Sequence, residues 1–179
     1  MVCDRCIKVL KDELDGQNIE LLQIELGRLR LDIESDDEIQ KLETLLENNG
    51  FSLIDSTEEK LTEQVKVELI KALQKLPLEL DKKLSAHLAD ALGHEYSKIS
   101  KVFSITEGIT IEKYFIKLKI EKVKELVQAK ELNFTEMAQL LDYSHINHLS
   151  GQFKSETGMS LTEYKSQQKN FRNALDKIV

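Results

Sequence analysis

A pattern that occurs twice, fifty residues apart, constrains this chain more than any other feature. Phe103, Gly108, Ile111 and Tyr114 recur as Phe153, Gly158, Leu161 and Tyr164, with Ile99 answered by Leu149 and Ile109-Thr110 by Met159-Ser160. An aromatic residue, a Gly five positions on and two apolar residues at steps of three predict a helix ending near Glu107 or Thr157. A left-handed Gly would follow at C′, and a new helix would open one turn later. Upstream of each copy a shorter apolar helix carries a small residue, Ala89 or Ala138, where two helices can cross closely. Each copy reads as short helix, tight turn and second helix, which is a helix-turn-helix present in duplicate.

At 179 residues the chain has room for two small domains. No apolar run approaches the roughly 20 residues needed to cross a bilayer. The N-terminus lacks the basic start, apolar centre and small-residue cleavage site of a signal peptide, so the expectation is a cytoplasmic protein with no membrane partner and reduced cysteines. The net charge of −7 is unevenly spread: residues 1–57 hold six basic and fourteen acidic side chains, net −8, and residues 58–179 hold nineteen and eighteen, net +1. A nearly balanced second half still suits DNA if its Lys and Arg gather on one face, with less reliance on counterion release.

The first third alternates patterns. Cys6, Val9, Leu10 and Leu14 fall at helical spacing before Asp15-Gly16; Leu22, Ile24 and Leu26, then Leu29, Leu31 and Ile33, alternate about a turn at Gly27-Arg28. Ser35 through Glu38 forms a capping box for a helix carrying Ile39, Leu42, Leu45 and Leu46, and Asn48-Asn49-Gly50 stops it. Phe51 to Ile54 reads as a last short strand. From Thr57 a connecting helix runs toward Pro77, the only proline. Helices follow at about 81–92, 96–107, 111–129, 135–142, 145–157 and 161–169, the long one joining the two repeats.

The stretch from Leu132 to Ala138, followed by Tyr143 through Lys154, then Gly158 and Tyr164-Lys165, resembles the signature half of the AraC/XylS family of bacterial transcription regulators. The resemblance covers roughly residues 80–170, including the weaker first unit Leu84–Tyr114 and the joining helix. It implies that one helix from each unit reads DNA in successive major grooves on one side of the duplex. Carried over by position, it implies DNA-facing Ser97, Ser100 and Lys101 in the first unit; Lys98, Lys119, Lys154 and Lys165 read equally as phosphate contacts or as solvated charges. In the second unit it implies His145, Asn147, Ser150 and Gly151, with Ser144 in the turn before them as a further candidate DNA contact. Asn grips adenine, Ser serves several bases, and Lys reaches guanine or phosphate. Gly151 stands where many members carry a long polar residue, and Glu95 where Ser is common.

Met1-Val2-Cys3-Asp4-Arg5-Cys6 places two thiols two residues apart at a helix N-terminus, a site suited to soft cations such as Cu(I) or Zn(II). With the element order that follows, residues 1–56 resemble the heavy-metal-associated domain of copper chaperones and transport ATPases. The resemblance implies a ferredoxin-like βαββαβ fold whose first strand is absent here, so that either the start is truncated or misplaced or the open sheet position invites another chain. Cys3 and Cys6 as metal ligands, and a metal-free sheet domain for dimerisation or sensing, both fit.

No Gly-rich phosphate loop, nucleophile elbow or zinc-protease helix occurs, so an enzyme is not expected. The expectation is an α+β protein comprising a ferredoxin-like domain (1–56), a connecting helix (57–79), an all-α double helix-turn-helix domain (80–170) and a tail (171–179). Its function would be transcription regulation through double-stranded promoter DNA, with sensing or homodimerisation through the first domain. The alternatives are a metal-handling protein and a protein-interaction adaptor.

Overall fold

The structure, a computed structural model, describes residues 4–33, 35–80 and 82–167, together with 175 and 178. The chain divides into two compact units, Met1–Val67 and Glu68–Val179.

In the first unit, α1 (Asp4–Gly16) leads into an antiparallel hairpin of β1 (Glu20–Glu25) and β2 (Arg28–Asp32), followed by α2 (Asp36–Asn48). The hairpin pairs Leu21 with Leu31 and Ile24 with Leu29, and a bulge between Leu21 and Gln23 resets the alternation so that all four turn to the same side. There they pack on Leu10, Leu14, Ile19, Leu42, Leu45 and Leu46. Gly27 turns the hairpin at φ +72°, and a Cβ there would lie 2.9 Å from Val67 Cγ2. The Ser35 capping box is formed, with both reciprocal bonds to Glu38. At the other end of α2, Gly50 N–H donates to the Glu47 carbonyl and Phe51 N–H to that of Leu46, at 2.9 and 2.8 Å, with Gly50 left-handed. This is a Schellman closure.

That closure explains where the fold departs from the sequence reading. Phe51 spends its amide on the helix end, Leu53 is exposed, and residues 51–56 form no strand. Among the described residues the sheet has two strands only, so the ferredoxin-like sheet is not formed. Alternating apolar residues become a strand only when a neighbouring edge accepts their ladder bonds.

α3 (Thr57–Gln74) is one helix, started by Ser56, whose Oγ accepts from Glu59 N–H at 3.1 Å, and ending three residues before Pro77. The boundary between the two units falls within it. The second unit continues with α4 (Leu84–Leu92), α5 (Tyr96–Glu107), α6 (Ile111–Ala129), α7 (Phe134–Leu140), α8 (Ile146–Thr157) and α9 (Leu161–Gln167). Its repeated core is built from Leu88, Ile99, Phe103, Ile111 and Tyr114 in the first copy and from Met137, Leu149, Phe153, Leu161 and Tyr164 in the second, all buried. Gly108 and Gly158 close α5 and α8 at φ +70° and +74°, each donating to the carbonyl four residues back. No helix among the described residues is long and apolar enough to cross a membrane.

Candidate nucleic-acid interface

Two short-helix, turn and second-helix units define this part of the molecule. In the first, α4 ends on left-handed Gly93, and Glu95 sits at the N-cap of α5. In the second, α7 starts with an Asn133 capping box and its turn contains left-handed Asp142 (φ +58°), four residues after Ala138 as Gly93 is four after Ala89. From the left-handed residue to the first buried apolar residue of the next helix, the second turn is one residue longer (Asp142 to Leu149 against Gly93 to Ile99). Asp tolerates this backbone region better than most residues because its short polar side chain bonds locally.

Helix α5 turns Ile99 and Phe103 inward and exposes Ser97, Lys98 and Lys101, with Ser100 half-buried beside the Tyr96 hydroxyl. Helix α8 likewise buries Leu149 and Phe153 and exposes His145, Asn147, Gly151 and Lys154, with Ser150 half-buried. Ser144 is exposed in the turn and its Oγ lies 3.0 Å from His148 Nδ1. His145 has a structural task as well: it is the N-cap of α8, and its Nδ1 accepts from Asn147 N–H at 3.2 Å, leaving Nε2 as its other polar atom. The second-unit residues expected at an interface thus gather at the start and on the outer side of one helix, and the α5 residues do the same in the first unit.

Lys119 is placed differently from the rest. It is half-buried, its Nζ donates to the Leu141 carbonyl at 2.8 Å, and it stands over the rings of Phe115 and Tyr143 at 5.2 and 4.9 Å. Burial pushes its pKa below the ordinary lysine value, partly countered by the Asp142 carboxylate. Burial also pushes the Tyr143 phenol up to about 12, and that hydroxyl donates to Gln152 Oε1 on α8 at 2.8 Å. The sequence held one signal of this. Lys119 lies among Tyr114, Phe115, Leu118 and Ile120, so a charge occupies the apolar sector of α6. The first unit carries a second link the sequence did not reveal, from the Tyr96 hydroxyl to Glu112 Oε1 at 2.5 Å. That bond holds the Glu112 carboxyl below the usual range, against the opposing effect of its burial.

In the N-terminal unit, Cys6 lies half-buried in the first turn of α1, and Cys3 falls outside the described residues. Among the described residues no group of three or more His, Cys, Asp or Glu is arranged to hold a metal ion. A single described thiol offers no donor set against which Cu(I) or Zn(II) can be fitted.

The fold and this surface define a double helix-turn-helix domain. Residues 88–167 match the family described as "Helix-turn-helix domain". Among solved structures the chain is similar to the C-terminal domain of AraT, a response regulator from Geobacillus stearothermophilus, with a TM-score of 0.53 and 18% identity, covering 66% of this chain and 95% of that one. It is also similar to a transcriptional regulator of Chromobacterium violaceum described among AraC-type DNA-binding domain-containing proteins. There the TM-score is 0.52 and the identity 14%, covering 62% of this chain and 96% of that one. No curated protein matches the chain. The C-terminal unit therefore has the fold of AraC-type DNA-binding domains, while nothing in these comparisons supports a heavy-metal-associated N-terminal domain.

Proposed function

We propose that this chain is a sequence-specific, DNA-binding transcription regulator of AraC type, in which α5 and α8 each enter a major groove of the same duplex. The observation that carries the reading is the duplication itself. Two units with matching buried cores each turn a small, polar, lysine-bearing helix face outward. Ser97, Ser100, Asn147 and Ser150 would meet base edges, and Lys98, Lys101, Lys154 and the helix N-termini would hold phosphates. Ser144 and His145 would sit where the chain enters the second groove. The N-terminal unit would serve sensing or homodimerisation, and the protein would act in the cytoplasm.

Titration of a pool of random duplexes at fixed salt tests this. Enrichment of one site, weakened by Asn147→Ala or Lys101→Ala, supports it. Recovery of a pool no different from the input favours the interaction adaptor instead.

A further inference from the structure

Lys119 sits five residues after Tyr114 on α6, and Tyr114 packs edge-on against Phe103 of α5. One helix therefore closes the core of the first unit and, a little over a turn later, sends a cation to the turn of the second. That turn is held by hydrogen bonds in sequence. Leu78 N–H donates to the Leu140 carbonyl at 2.7 Å, Lys119 Nζ to that of Leu141 at 2.8 Å, and Tyr143 N–H to that of Ala138 at 2.9 Å. Tyr143 passes the constraint on to α8 through Gln152, and Lys117 of α6 reaches Glu156 of α8 at 3.5 Å.

Leu141 anchors the turn in the core, but the Lys119 side of the turn is open. A cleft of about 430 Å³, lined in part by Phe115, Lys119, Tyr143, Ser144 and Gln152, opens there. A half-buried ammonium is not the most stable choice, since an apolar side chain of similar length avoids its desolvation cost. What the cation adds is direction. Two ring faces and a carbonyl fix its position, and through Tyr143 they fix the tilt of α8.

We propose that Lys119 is a positioning residue that sets α8 against α6, and thereby the separation of half-sites the domain accepts, a step that rests on the DNA-binding reading above.

The full chain, Lys119→Met and Tyr143→Leu are compared in three ways. First, with Cys3 and Cys6 replaced by Ser, nitroxides at the exposed and repeat-equivalent positions Ile105 and Ser155 report the distance between α5 and α8 without DNA. A narrow distribution is expected for the parent and a broad one for both variants. Second, with the selected duplex, inserting or deleting one base pair between half-sites should weaken the parent by about tenfold, the scale of a wrong base pair. The same change should weaken either variant by only about threefold. Third, the slope of log affinity against log salt should be the same for Lys119→Met as for the parent. A slope smaller by about one unit identifies Lys119 as a phosphate contact and overturns the proposal. Unbroadened distances in both variants, or an undiminished spacing penalty, also overturn it. A parent that binds no duplex refutes the DNA reading, and with it the spacing role, while the distances still decide whether Lys119 orders α8.

Discussion

Tyr114 meets Phe103 edge-on, ring centroids 5.5 Å apart at 62°, and fifty residues later Tyr164 meets Phe153 at 5.4 Å and 73°. In each unit the aromatic pair joins the outward-facing helix to the helix after its Gly stop, so the face offered to a partner is fixed from behind. Equal geometry implies equal cost. Phe103→Ala and Phe153→Ala should each destabilise by about 3–5 kcal/mol, read from urea unfolding. A loss below ~1 kcal/mol at either would show that its ring is not a keystone.

Gly27 combines two constraints, a left-handed backbone and a Cβ direction blocked by Val67, whereas Gly50 has the first without the second. Gly50→Ala should cost about 1–2 kcal/mol for the backbone alone. Gly27→Ala should cost more, with circular dichroism melts giving the order. The reverse order would mean that the hairpin turn yields freely.

Gly151 stands in the middle of α8, and a methyl group added there would meet nothing within 4 Å, so no packing requires the glycine. Gly151→Ala should raise stability by about 0.5–1 kcal/mol. Differential scanning calorimetry would expose the opposite, a fall in Tm, if the small residue were structurally needed.

Asn133 satisfies two amide donors of α7, those of Thr135 and Glu136 at 2.9 and 3.0 Å, while Glu136 returns a bond to its backbone. Asn133→Ala should cost about 1 kcal/mol and Asn133→Ser less. Hydrogen exchange at Thr135 and Glu136 should quicken in the Ala variant, and unaltered protection there would contradict the cap.

Lys119 gives a pH dependence with a definite sign. Its folded pKa is lowered by burial, so below the ordinary value of 10.5 and above the folded value the unfolded chain binds more protons than the folded one. Stability contributed by this group therefore rises with pH across that window. The unfolding free energy of the parent minus that of Lys119→Met should grow on the alkaline side up to about pH 10.4. A flat or falling difference would show that the ammonium is not desolvated.

Most of the C-terminal unit was legible in the sequence because its determinants are local. The Gly stops and the Phe and Tyr spacing each specify their own turn, and the duplication states each one twice, whereas the Asn133 cap of α7 emerged only with the structure and has no counterpart at Lys83. The Ser35 box and the existence of the hairpin were legible for the same reason, but Leu22, read as inward-facing, is exposed, and the bulge after Leu21 puts Leu21 on the core instead. What was not legible depends on partners distant in the chain. Whether Phe51 to Ile54 becomes a strand depends on a sheet edge, and the Schellman closure at Gly50 claimed the Phe51 amide first. The direction of Lys119 depends on a carbonyl 22 residues away. His145 was legible as a polar residue beside a helix start, but its capping role required the backbone geometry.

Hydroxyl-radical footprinting of the full chain on a selected duplex addresses the two-reader arrangement most directly. Two protected stretches on one face of the duplex, about one helical turn of 10–10.5 base pairs apart centre to centre, are the expected result. Substitution at Lys101 should weaken one stretch and substitution at Asn147 the other. A single protected stretch, or none under conditions where the chain is folded, would contradict the proposal that α5 and α8 read DNA together.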